Sequence, residues 1–141
     1  MSDPNFVIFY VANPLASAAF YETILGKPPV EASPGFVMFA LENGLKLGLW
    51  SRPTVEPKVT APCGGSEIAF PAETGADVDR RHAEWMARGV TILQAPTALD
   101  FGRSFVALDP DGNRLRVFAP SAETAEIRRR IASTSGTELR S

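Results

Sequence analysis

The chain has 141 residues, 45% of them hydrophobic and 21% charged, with a formal net charge of −2 and a pI near 5.4. Such a length suits one domain, or two half-domains that share a core, and the slightly acidic balance lacks the basic footprint that nucleic acid demands. Cys63 is the only cysteine, which excludes an intrachain disulfide or a multi-cysteine zinc site and fits a reducing, cytoplasmic setting. Met1 to Asn5 is polar and the apolar run after it is short, so neither a signal peptide nor a membrane span is expected.

Phe6 to Val11 is β-branched and aromatic and reads as a strand. Asn13 can cap a helix with Pro14 in its tolerated first turn, and Ala16 to Leu25 carries that helix, with Phe20, Ile24 and Leu25 along one face and Gly26 closing it. Pro28 to Ala32 is a short edge segment. Phe36 to Leu41 and Leu45 to Trp50 form a hairpin across Glu42-Asn43-Gly44. Ser51 to Gly65 holds Pro53, Pro57 and Pro62 and ends in Gly64-Gly65, so it reads as a linker.

The same order then returns. Glu67 to Phe70 is a strand. Asp77 to Arg88 is a helix with Ala83, Trp85, Met86 and Val78 inward and Gly89 at its end, and Val90 to Gln94 is the next strand. Ser104 to Leu108 pairs with Arg114 to Phe118 across Asp109-Pro110-Asp111-Gly112. Phe39-Ala40-Leu41 before the first turn matches Val106-Ala107-Leu108 before the second, which is one residue longer, and Gly26 matches Gly89. A repeat of this kind implies two supersecondary units. The reading is therefore α+β, with two βαβββ modules: module one over 5–50, a linker over 51–65, and module two over 66–119. Residues 120–141 add a helix over Ala122 to Ala132 and a frayed tail. The Arg128-Arg129-Arg130 run is read as a solvated helix end.

The strand, the Asn13 cap, Phe20-Tyr21-Glu22, Leu25-Gly26 and Asp109-Pro110-Asp111-Gly112-Asn113 before a final strand resemble the vicinal oxygen chelate superfamily, which includes glyoxalases, extradiol dioxygenases and bleomycin resistance proteins. The resemblance covers residues 5 to 119. It implies that the two modules form a curled, cup-shaped mixed sheet with helices outside, paired in a homodimer. Leu49-Trp50-Ser51, Ser66-Glu67-Ile68, Thr74 to Asp79, Glu84-Trp85, Asp100 to Arg103 and Arg116-Val117 are similar to the phenazine antibiotic resistance branch, whose members sequester a planar tricyclic compound on aromatic side chains.

Metal-dependent members of that superfamily carry N and O donors on the first and last strand of each module. The resemblance puts these slots at Phe6, Gly48, Glu67 and Arg116, of which only Glu67 is a donor, and a cation beside it opposes a metal ion. No metal, no cofactor and no catalytic residue are expected. His82 reads as a surface histidine.

Strand alternation then places Phe6, Ile8, Tyr10, Gly48 and Trp50 on the cup face, with Phe36 opposite Trp50 and Met38 opposite Gly48, where the glycine leaves room for a stacking slot. Phe6 and Ile8 read equally as core. Glu67 and Arg116 face the cup with Phe105 and Phe118 near, either as a structural ion pair or as a ligand-orienting one. Asp100, Phe101 and Arg103 lie on the rim, Arg103 sharing parity with Phe105. The expected ligand is a planar aromatic small molecule, with no nucleic-acid or membrane partner. An enzyme of the same fold, with Glu67 as a base or with metal ligands elsewhere, is the alternative.

Overall fold

The computed structural model describes residues 2–121, 126, 127 and 129–133. Its chain falls into two compact units: the first comprises residues up to 66 together with 108–113, and the second residues 67–107 and those from 114 on.

In the first unit, β1 (Phe6–Val11), α1 (Pro14–Leu25), β2 (Glu31–Ala32), β3 (Phe36–Ala40) and β4 (Lys46–Ser51) form a four-stranded sheet of order β1-β4-β3-β2. β1 runs parallel to β4 because α1 carries the chain back between them, while β3 and β4 are an antiparallel hairpin. Asn13 accepts at Oδ1 from the Ala16 N–H at 3.2 Å, Pro14 occupies the first turn, and Gly26 ends the helix at φ 73. α1 does not bury the Phe20, Ile24 and Leu25 face expected of it. Its fully buried stripe is Pro14, Ser17, Ala18 and Tyr21, an i, i+3, i+4, i+7 series that two polar residue types disguise. Tyr21 packs on Phe39 at 6.5 Å between ring centroids, over the buried Val37, Leu47 and Leu49.

The second unit repeats the plan with β5 (Glu67–Pro71), α2 (Gly75–Ala87), β6 (Thr91–Leu99), β7 (Gly102–Leu108) and β8 (Arg114–Pro120), in sheet order β5-β8-β7-β6, with β5 parallel to β8. α2 starts two residues before the expected Asp77, because Thr74 and Asp77 form a reciprocal capping box. Val78 and Trp85 are its buried residues, whereas Ala83 and Met86 face solvent. Trp85 meets Phe70 and Phe105 edge-on at 5.6 and 5.3 Å, above the buried Leu115 and Val117. β6 runs on past Gln94 through Pro96, which an edge strand tolerates because its outer side needs no N–H donor.

After β8, residues 126, 127 and 129–133 are helical, with Glu126 paired to Arg129 at 2.9 Å and to Arg130 at 3.3 Å. The start of the expected last helix, at 122–125, lies outside the described residues, as do Arg128 and the tail from 134 on. Ser133, expected in the frayed stretch, is helical.

Candidate functional site

In each sheet one face packs on its helix and the other is open, and the candidate residues divide between them. In module one the burial of β1 alternates: Phe9 and Val11 are buried, whereas Phe6, Ile8 and Tyr10 are 38, 42 and 41% exposed. The register pairs Phe36 with Trp50 and Met38 with Gly48, as the Glu42-Asn43-Gly44 turn predicts. All four belong to the phase of β3 and β4 opposite the buried Val37, Phe39, Leu47 and Leu49, so Phe6, Ile8, Tyr10, Phe36, Met38 and Trp50 share the open face.

Gly48 does not leave the slot expected there. A Cβ on Gly48 would stand 2.8 Å from Phe6 Cε1 and 2.9 Å from Phe36 Cζ, so the two rings already fold over the glycine and fill its space. They lie 6.5 Å apart, with the Lys46 ammonium 6.0 Å from the Phe6 ring. Tyr10 meets Trp50 edge-on at 6.2 Å. Phe6 and Phe36 thus occupy one end of this face and Tyr10 and Trp50 the other, with Phe6 and Tyr10 similarly exposed. Beside Tyr10 the linker contributes what the sequence did not signal: residues 57–66 line a groove of about 470 Å³ with Ile8, Tyr10 and Arg52. Arg52 Nη2 anchors that linker by donating to the Ala61 carbonyl at 2.7 Å.

In module two the open face carries Glu67, Ala69, Phe101, Arg116 and Phe118, which line a shallow pocket of about 290 Å³. Arg116 donates from Nε to Glu67 Oε1 at 2.6 Å and from Nη2 to Oε2 at 3.2 Å, a bidentate pair. Its Nη1 donates to Ser104 Oγ at 2.9 Å. The guanidinium lies 5.9 Å from the Phe101 ring centroid, and Phe101 meets Phe118 edge-on at 6.4 Å. A planar cation, an anion and two ring walls thus share one small concavity.

Two of the predicted residues face the other way. Phe105 is fully buried under α2, with Trp85 and His82 each 5.3 Å away. Arg103 pairs through Nε with Asp79 Oδ1 of α2 at 2.9 Å, and its Cδ lies against Gly75. Ser104 takes the place on the Arg116 face that was expected of them. The two hairpin loops are equally long, residues 41–45 and 109–113, each closed by the same backbone hydrogen bond. Leu41 therefore corresponds to Asp109 and not to Leu108 as the sequence match implies; an offset of one residue assigns a strand's side chains to the wrong face. Asp100 is exposed in the turn before β7 and is not among the residues lining the Arg116 pocket. His82 is partly exposed, as expected, with its ring 5.3 Å from that of Phe105. Ser104 and Ala69 are the site residues that the sequence reading missed. Neither type signals chemistry, and only correct strand facing finds them.

The donor set of the four metal slots does not fit a divalent ion. Phe6 and Gly48 have no donor side-chain atom, and both Glu67 oxygens accept from Arg116. Among the described residues no group of three or more His, Cys, Asp or Glu comes together.

A second polar cluster in the first unit is structural. Tyr21 Oη donates to Asp109 Oδ2 at 2.7 Å, and the same carboxylate accepts from the Asn113 side chain at 2.9 Å and from the Asn113 and Asp111 backbone N–H groups at 2.8 and 2.9 Å. Asp111 in turn accepts from the Ala12 N–H at 2.8 Å and from Ser17 Oγ at 3.3 Å. Burial, then the charge and hydrogen bond of Asp109, pushes the Tyr21 phenol far above its ordinary range.

A βαβββ unit that repeats, with one sheet face in each copy left open and lined by rings, defines a class of paired-module α+β proteins. The family model described as Glyoxalase/Bleomycin resistance protein/Dioxygenase superfamily matches residues 4–117, and the chain belongs to that superfamily. It is 35% identical over 117 residues to the phenazine antibiotic resistance protein EhpR of Enterobacter agglomerans, across 81% of this chain and 89% of that protein. Among solved structures it is similar to protein ATC0852 from Agrobacterium tumefaciens, with 53% identity and a TM-score of 0.79, covering 86% of this chain and all of that one. A glyoxalase-related enzyme from Fulvimarina pelagi, 22% identical with a TM-score of 0.73 over 84% of this chain and 88% of its own, shares the fold. Among the described residues no helix is long and apolar enough to cross a membrane.

Proposed function

We propose that the protein binds and sequesters a planar aromatic small molecule of the phenazine type, in the manner of an antibiotic resistance protein, without a metal ion and without chemical conversion. The observation that carries this reading is the module-one sheet face, where Phe6, Ile8 and Tyr10 are each about two-fifths exposed beside Phe36, Met38 and Trp50. Single exposed apolar residues are ordinary, but a contiguous set rich in rings marks a binding surface. The Phe101 and Phe118 walls in module two, with Arg116 and Glu67 between them, offer a second ring-bearing concavity. The likeness to EhpR supports the ligand class. Glu67 is poorly suited to act as a base, since both its oxygens hold Arg116. The proposed working form is a cytoplasmic homodimer, which light scattering on the purified protein tests.

Tryptophan fluorescence tests the binding. The protein has two tryptophans, and Trp85 is fully buried, so added phenazine should quench the signal of Trp50. Phenazine is expected to bind with saturable, micromolar or tighter affinity, which Trp50→Ala, measured by calorimetric titration because the reporter is gone, weakens about five- to tenfold, the scale of one aromatic stacking contact. Unchanged affinity in Trp50→Ala and in Phe101→Ala would remove the assignment.

A further inference from the structure

We infer that the module-two pocket selects an uncharged planar ring over an anionic one, and that Glu67 is the residue that sets this preference. The inference rests on the reading that an aromatic compound binds here, and adds which charge class it takes. An arginine facing a small apolar pocket ordinarily recruits a carboxylate. Here that role is already taken from within the chain. Glu67 holds the Nε and Nη2 edge of Arg116, the edge that a ligand carboxylate would grip bidentately, and Ser104 accepts from Nη1.

The lining is therefore neutral in sum: one cation, one anion, and Ala69, Phe101 and Phe118. The pair is 18 and 33% exposed at Arg116 and Glu67, so water does not fully screen it. Two further charged residues stand near but outside the lining, both exposed: Arg114, which is opposite Glu67 in the register, and Asp100 in the preceding turn. What the guanidinium still offers is its flat face, with the Phe101 ring 5.9 Å away. A planar ring can stack on a guanidinium held in this way without having to neutralise it. A carboxylate-bearing ring, in contrast, would have to displace Glu67 or lie beside its charge.

Calorimetric titration of the full chain with phenazine and with phenazine-1-carboxylate at pH 7.5 tests this. The wild type is expected to bind the neutral compound at least as tightly as the anion. Glu67→Gln keeps an acceptor for Arg116 but removes the compensating charge, and should shift the affinity ratio toward the carboxylate about tenfold or more, the scale of one charge-assisted hydrogen bond. Adding Arg116→Gln to that variant should erase the shift. A wild type that prefers the carboxylate tenfold, or a ratio that Glu67→Gln leaves unchanged, would overturn the inference while leaving aromatic binding intact. If neither compound binds the wild type or the variants, the binding reading itself fails and takes this inference with it. Should Glu67→Gln not fold, the wild-type ratio and its salt dependence still decide. Carboxylate binding that weakens steeply with salt would mean a free arginine and refute the assignment, and a flat response would support it.

Discussion

Tyr21→Phe removes one oxygen atom from the interior of the first unit, and the structure fixes what that costs. The phenol is fully buried and donates at 2.7 Å to an Asp109 carboxylate that is only 5% exposed. The ring and its contacts with Phe20 and Phe39 survive the substitution, so the loss is that of one hydrogen bond to a charged acceptor, about 1.5–3 kcal/mol. For a chain of this size that corresponds to a Tm lower by roughly 5–9 °C. The pH dependence separates this bond from mere packing. The unfolded chain releases the phenolic proton near its ordinary value of 10.0, while the folded chain retains it. The contribution is thus complete below that value and declines by about 1.4 kcal/mol for each pH unit above it. Urea unfolding of both proteins at pH 8 and pH 11 is the assay. The stability difference should shrink by about 1.4 kcal/mol between the two pH values, with the other titrating groups cancelling. A difference below about 0.5 kcal/mol at pH 8, or one that does not change with pH, would refute the reasoning.

Trp85→Ala should destabilise the protein by about 3–5 kcal/mol in urea unfolding, since it empties the space between Phe70 and Phe105 at a fully buried position. Gly102→Ala should cost on the order of 1–3 kcal/mol or more, because Gly102 sits at φ 140 and a Cβ there would collide with the Ala119 carbonyl oxygen. Thr74→Ala should cost about 1 kcal/mol at neutral pH through loss of the α2 cap. The Thr74 hydroxyl, more than the nearby Arg80, holds the Asp77 carboxyl below its ordinary 3.8. That contribution is present above 3.8 and lost as pH falls below it, so the acid limb of the stability curve should be shallower in the variant.

The order of elements was legible because local chemistry marks each boundary. Asn13-Pro14 opens one helix, Gly26 and Gly89 close two, and the paired hairpin turns reveal the repeat. The module-one register was legible for the same reason, since a short turn fixes which residues of β3 and β4 stand opposite each other. What could not be read were facings that depend on tertiary choice. Tyr21 displaces Phe20 from the interior because its hydroxyl finds Asp109, far along the chain. Met86 is left in solvent because α2 turns Val78 and Trp85, with His82 beside Phe105, toward the sheet. The misfacing of Arg103 and Phe105 goes with matching Leu41 to Leu108 when the equally long hairpin loops match it to Asp109, and it hid Ser104. The filling of Gly48 by Phe6 and Phe36 depends on rotamers, which alternation of strand residues does not specify.

Tyr21 and Asp109 are 88 residues apart in sequence, and this separation bears on how the protein is made. At ribosomal speeds of about 5–20 residues per second, the acceptor emerges roughly 4–18 s after the phenol. Through that interval the N-terminal segment has its strands and helix but no mate for a hydroxyl destined for the interior, so its final packing waits on the synthesis of a turn near the other end. Truncated products that stop before residue 109 should consequently be the species that cellular quality control removes.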